Sequence, residues 1–253
     1  MLGLILATIA AGVLVLTYFA WRRYVRIARS PADGATDHSE YSVTEAFGQS
    51  HLLNTPHQRG ARWLTDIFDR SAQRFADHVA LQIPHTGEAL TYAELDQEAE
   101  KVAAALSHVL NGPDQVVAIS MAQDNWQAVA CHLGILRAGG TVVFIDAALP
   151  EAMISHMLED ARPVVVLTRG ERAFRDLPTL DVLSLPDETP GRAAPPWLDD
   201  PAQRLATIFY TSGTTGLPKG VECPHAGYVN LALTYADYFD LVPGMDASTL
   251  TSS

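Results

Sequence analysis

Leu205-Ala-Thr-Ile-Phe-Tyr-Thr-Ser-Gly-Thr-Thr-Gly-Leu-Pro-Lys-Gly220 is the stretch that decides how this chain is read. Its first half, Leu205 to Tyr210, is apolar, aromatic and β-branched, the composition of a buried strand. Its second half crowds three glycines, four hydroxyl side chains and one lysine into Thr211–Gly220. Such a segment cannot pack a core. Glycine lets backbone N–H groups turn toward a ligand, Thr211, Ser212, Thr214 and Thr215 add donors, and Lys219 adds a positive charge. That set suits a polyphosphate. The general nucleotide loop G-x-x-x-x-G-K-[ST] does not fit, because Lys219 lies three residues after Gly216 and Gly220 stands where a metal-binding hydroxyl is required. A surface hairpin rich in turn residues is the competing reading, and the Pro-Lys-Gly ending and leading strand weigh against it.

Outward from this loop, the N-terminal side repeats one pattern. Leu64, Ile67, Phe68, Ser71 and Phe75 carry helical spacing. Val79–Ile83 and Ala89–Thr91 read as strands around the turn Pro84-His85-Thr86-Gly87. Thr91 and Glu94 form a capping box, opening a helix with Leu95, Ala99, Val102, Leu106 and Leu110 on one face. Asn111-Gly112-Pro113 stops it. Gln115–Ser120 is a strand, Asn125 caps a helix over 126–138, and Gly139-Gly140 ends that helix in a left-handed turn. Thr141–Ile145 is a strand, Pro150 opens a helix to about Ala161, and Val164–Thr168 is again a strand. Residues 186–202 read as a proline-rich connector. Gly220–Cys223 reads as a strand and His225–Phe239 as a helix. Alternating strands and helices predict an α/β fold with a mostly parallel sheet covered on both faces.

Composition narrows the class. The 253 residues carry a net charge of −12, which argues against a nucleic-acid binder. Cys131 and Cys223 are the only cysteines; their spacing offers no metal site and suits small core residues in a reducing compartment. Leu2 to Trp21 holds no charge, enough apolar helix to span the roughly 30 Å core of a bilayer. Arg22, Arg23, Arg26 and Arg29 follow. A cleavable signal carries its positive charge before the apolar run, so residues 1–29 predict a retained single-pass anchor with the globular part cytoplasmic. An uncleaved signal sequence is the alternative. Residues 30–60 read as a polar linker and 61–253 as the folded part.

Three segments in order resemble the adenylate-forming, AMP-binding superfamily, closest to the adenylation domains of nonribosomal peptide synthetases. Leu90-Thr-Tyr-Ala-Glu-Leu95 is similar to the first core motif. Leu136-Arg-Ala-Gly-Gly-Thr-Val-Val-Phe-Ile-Asp146 resembles the second, with Arg137 for lysine and Thr141, Val142 and Phe144 in place of alanine, tyrosine and proline. The third starts at Leu205 and departs only by Thr207 for an aromatic. The first two are structural in this reading.

The resemblance implies the N-terminal part of the superfamily's large domain and a two-step reaction. A carboxylate attacks the α-phosphate of ATP, giving an acyl-adenylate and pyrophosphate, and a thiol then takes the acyl group. It assigns Thr211, Ser212, Gly213, Thr214, Thr215, Gly216 and Lys219 to the ATP phosphates, with Mg²⁺ as companion and coenzyme A or a carrier-borne phosphopantetheine as thiol. His225 either approaches the acyl pocket, as the resemblance implies, or caps the helix that follows it. The expected substrate is an amino or aryl acid, with a fatty acid, suited to a membrane anchor, as the alternative. The superfamily's later segments, which hold its catalytic lysine and its adenine and ribose contacts, are not found. No catalytic or metal-ligating residue is therefore assigned, and a truncated, inactive, membrane-tethered fragment is the rival expectation.

Overall fold

The computed structural model describes residues 60–83, 86–121, 125–170, 174, 177–186, 200–211 and 217–238. The expected anchor at 1–29 lies outside them, as does the linker at 30–60 except for Gly60. Among the described residues no helix is long and apolar enough to cross a membrane.

A six-stranded sheet carries the fold. Its strands are β3 (Val116–Ser120), β4 (Thr141–Phe144), β5 (Val165–Thr168), β6 (Thr179–Asp181), β7 (Leu205–Thr211) and β8 (Lys219–Pro224), in the order β6-β5-β3-β4-β7-β8. Every neighbouring pair is parallel except β7 with β8. A separate antiparallel pair, β1 (Val79–Gln82) and β2 (Ala89–Thr91), lies beside it.

Strict alternation splits the sheet's side chains between two cores, because successive Cβ atoms point to opposite faces. Val117, Ile119, Val142, Val165 and Leu167 enter one core, packed by α1 (Leu64–Arg74), α2 (Tyr92–Leu106), α3 (Trp126–Arg137) and α5 (His225–Tyr238). Ala118, Val143, Ile145 and Val166 enter the other, packed by α4 (Glu151–Ala161) through Ile154 and Met157.

The helix starts follow from local hydrogen bonding. At α2, Glu94 N–H donates to Thr91 Oγ1 (3.2 Å) and Thr91 N–H donates to Glu94 Oε2 (2.8 Å), so the predicted capping box is present. Ala128 N–H donates to Asn125 Oδ1 at 3.0 Å to open α3. Gly139 turns left-handed at φ +78°. The second core motif, which runs through that turn into β4, is held by its departures. Arg137 is 7% exposed and pairs with Asp69 of α1 and Asp96 of α2, and also donates to the Asp96 carbonyl. Its planar fork joins three helices, which a lysine point charge does less well. Phe144 packs against the buried His132 ring with centroids 5.6 Å apart.

Two expectations shift. Helix α2 ends at Leu106, not at the Asn111-Gly112-Pro113 stop. Ser107 Oγ bonds back to the Ala104 carbonyl at 2.6 Å, competing with the helical ladder and tightening the last turn. Leu110 stays buried by folding back, its N–H on the Leu106 carbonyl. The second shift is β6 with its following 3₁₀ turn Val182–Ser184, a parallel edge strand that sequence patterning did not show. Three residues are too few to display a period.

Candidate functional site

β7 runs from one edge of the sheet to the other, and the candidate loop grows from its carboxyl end. β7 pairs antiparallel with β8 in the register Leu205↔Pro224, Tyr210↔Gly220 and Thr211↔Lys219. The chain therefore reverses between Thr211 and Lys219, and these two residues, both exposed, face each other as the neck of the turn. Ser212, Gly213, Thr214, Thr215 and Gly216 lie outside the described residues. The next described element after the turn is a strand, β8, where the ordinary nucleotide loop opens a helix.

The neck sits on the edge where ligands of parallel sheets are expected. β3, β4, β5 and β7 all point their carboxyl ends the same way. Helix α3 leaves β3 on one face and α4 leaves β4 on the other, so the connection changes sides at this edge.

The amino-terminal end of β7 is pinned by long-range polar contacts. Asp114, held in the left-handed region at φ 56°, accepts from Leu205 N–H at 3.0 Å and from Arg204 Nη1 at 3.1 Å. Thr141 Oγ1 donates to the Leu205 carbonyl at 3.2 Å.

The carboxyl end is held from α4. Tyr210 Oη donates to Asp160 Oδ2 at 2.6 Å, and His156 Nε2 meets the Pro218 carbonyl at 2.9 Å. Burial and the Asp160 carboxylate push the Tyr210 phenol well above its usual range, so it stays a donor. Neither His156 nor Asp160 stood out in the sequence. Their spacing of four residues on one helix face was the available signal.

His225 does not join the neck. The six residue steps of β7 put it about 20 Å away along the strand, beside Arg204, whose carbonyl accepts from His225 N–H at 3.0 Å. It is buried, and its Nδ1 accepts a long 3.4 Å bond from Leu64 N–H, an otherwise free donor in the first turn of α1. Its ring meets Trp63 edge-on at 4.8 Å. The imidazole thus caps α1, a helix 161 positions away, and not its own helix. Burial lowers its pKa to about 4 against the pull of Asp114 and Asp66. His132 is fully buried nearby, with both ring nitrogens lacking a hydrogen-bond partner among the described residues. Burial and the neighbouring His225 bring it to about 3. Thr207, the one departure in the third motif, is also buried. Its hydroxyl faces Tyr228 Oη without hydrogen-bond geometry between them.

Comparison with known proteins places these features in a family. Residues 68–251 match the family described as "AMP-binding enzyme". Gramicidin S synthase 2 of Brevibacillus brevis is 33% identical over 185 residues, covering 70% of this chain and 4% of that protein. Glycine betaine reductase ATRR of Emericella nidulans is 35% identical over 191 residues, covering 72% of this chain and 14% of the reductase. Among solved structures, the AMPPNP-bound form of the nonribosomal peptide synthetase FmoA3 superposes with a TM-score of 0.60 at 27% identity, over 73% of this chain and 19% of that one. The chain spans a small part of each.

Proposed function

The chain belongs to the AMP-binding enzyme family, and on that premise we propose that it binds ATP at Thr211–Gly220 for the adenylation of a carboxylic acid. The observation that carries the reading is the strand-closed neck, with Thr211 opposite Lys219 at the carboxyl edge of the sheet. Between them run the glycines and hydroxyls of a phosphate cradle. Thr211, Ser212, Gly213, Thr214, Thr215, Gly216 and Lys219 hold the phosphates.

In the proposed reaction a carboxylate oxygen attacks the α-phosphorus, and the bond to the β-phosphate oxygen breaks. Pyrophosphate leaves with the charge that Lys219 and the loop donors stabilise. A thiol sulfur then attacks the acyl carbon and AMP departs. Mg²⁺, where it accompanies ATP, would be held by the nucleotide's phosphates and by hydroxyls such as that of Thr211, and would neutralise charge on the leaving pyrophosphate.

The substrate in this reading is an amino or aryl acid, supported by the likeness to peptide synthetases, and the acceptor is coenzyme A or a carrier-borne phosphopantetheine. His225 is assigned to capping α1. Residues 1–29 are read as a membrane anchor, 30–60 as a linker and 61–253 as the AMP-binding part, with the folded portion on the cytoplasmic side. Deleting residues 1–29 should release the protein from the membrane fraction; retention would reject the anchor.

Equilibrium binding of ATP to the chain, with ATP–pyrophosphate exchange across amino, aryl and fatty acids, tests the main reading. ATP binding is expected, weakened about tenfold by Lys219→Ala. Absence of both binding and exchange rejects it, and exchange confined to fatty acids replaces the acid class.

A further inference from the structure

Besides the Met157 carbonyl, which accepts from Tyr210 Oη at 3.3 Å, helix α4 sends two side chains to the loop neck. Ile154 and Met157 already bury its apolar face against Val143, Ile145 and Val166. Asp160 is exposed and His156 half-buried. Yet these two side chains, one helical turn apart, reach opposite strands of the hairpin that presents the loop. Asp160 holds Tyr210 on β7, one residue before Thr211. His156 holds the carbonyl of Pro218, one residue before Lys219.

We propose that His156 and Asp160 are positioning residues for the nucleotide loop, setting the orientation of Lys219 and the spacing of the two strands at the neck. This rests on the assignment of Thr211–Gly220 to ATP. A carbonyl only accepts, so His156 Nε2 carries the proton and donates. Proline has no N–H, so its carbonyl is the one backbone polar group at position 218. The peptide unit is planar. A bond that aims the Pro218 carbonyl therefore also aims the Lys219 N–H and, through the next Cα, the direction in which the lysine leaves the strand.

On the other strand, the Asp160 carboxylate draws Tyr210 over Gly220. A Cβ on Gly220 would come within 3.1 Å of Ile208 Cγ2, 3.3 Å of Asp160 Oδ2 and 3.4 Å of the Tyr210 ring. Gly220 thus allows the close approach that the latch requires. Its backbone angle is not the reason for a glycine here.

The test is a double-mutant cycle on ATP affinity in the full chain, using His156→Phe, Lys219→Ala and the pair, with Tyr210→Phe as a variant that removes the phenol's bonds to Asp160 and to the Met157 carbonyl. Lys219→Ala is expected to weaken ATP about tenfold, the loss of one charge-assisted contact. His156→Phe and Tyr210→Phe should each weaken it about fivefold, as for one lost hydrogen bond, with melting temperature nearly unchanged. His156→Gln, which keeps a donor, should recover most of the loss.

Non-additivity decides the matter. If His156 acts through Lys219, adding His156→Phe to Lys219→Ala costs less than about twofold more. Nitrogen-15 spectra of the His156 ring should show Nε2 protonated. Normal ATP affinity in both His156→Phe and Tyr210→Phe, with Lys219→Ala impaired, would overturn the proposal while leaving the nucleotide site intact. Full additivity would reduce the latch to general stabilisation and overturn it as well. No effect of Lys219→Ala on ATP would remove the nucleotide assignment itself, and this inference with it.

Discussion

The two ends of β7 are built differently. At its amino end Asp114 and Thr141 saturate the backbone of Leu205, Arg204 pairs with Asp114, and the buried His225 ties the adjoining helix to α1. At its carboxyl end the strand delivers exposed Thr211, held by its pairing with β8 and by the Tyr210–Asp160, Tyr210–Met157 and His156–Pro218 contacts from one helix. One end is locked into the core and the other is presented to a ligand. Stability and binding are therefore expected to separate along a single seven-residue strand, since surface groups contribute little to folding while core polar groups contribute much.

Acid should give the largest effect, and it should strike the locked end. His225 and His132 have folded-state pKa values of about 4 and about 3 against an ordinary 6.5. The unfolded chain then binds more protons, so stability is fully present above about pH 6.5 and falls as the pH drops toward 4. The slope is up to about 1.4 kcal/mol per pH unit for each histidine. Urea denaturation between pH 7 and 5 measures it, and a flat profile would mean that these histidines are solvated.

Asp114→Ala ranks next. It strands Leu205 N–H, removes the Arg204–Asp114 pairing and puts alanine at a positive φ, a loss of about 2–3 kcal/mol. ATP affinity of the folded protein should stay within about twofold. A large change in affinity would erase the contrast between the two ends.

Lys219→Ala reverses the pattern, with about tenfold weaker ATP binding and a stability change within about 0.5 kcal/mol. Isothermal titration and thermal melts on the same sample check both halves. Thr141→Val is the smallest, losing its hydroxyl bond to the Leu205 carbonyl for about 1 kcal/mol of stability and no nucleotide effect. A binding defect there would show that strain travels the length of β7.

What could be read from the chain was local. The Thr91–Glu94 box, the Asn125 cap, the Pro150 start and the Gly139 turn each depend on residues within four positions of one another, and each is present. The residues of the phosphate turn were identifiable because glycine, hydroxyl and lysine side chains together serve no packing purpose. Distance in sequence hid the remainder. His225 reaches Leu64 across 161 positions, Arg204 reaches Asp114 across 90 and Tyr210 reaches Asp160 across 50. No periodicity encodes such a partner. The short β6 and the antiparallel sense of β8 also depend on which strand is available to pair.

The amino-acid sequence by itself thus determined the helices and most strands, their caps, and the set of groups that can receive a polyphosphate, because backbone hydrogen bonding and side-chain spacing act over a few residues. Tertiary structure alone decided where those groups go. It closed Thr211 on Lys219, set α4 against the neck and carried His225 to the far edge of the sheet as a cap for α1. Those outcomes follow from strand order and burial, in which a side chain's neighbours are chosen by the packing of the whole sheet.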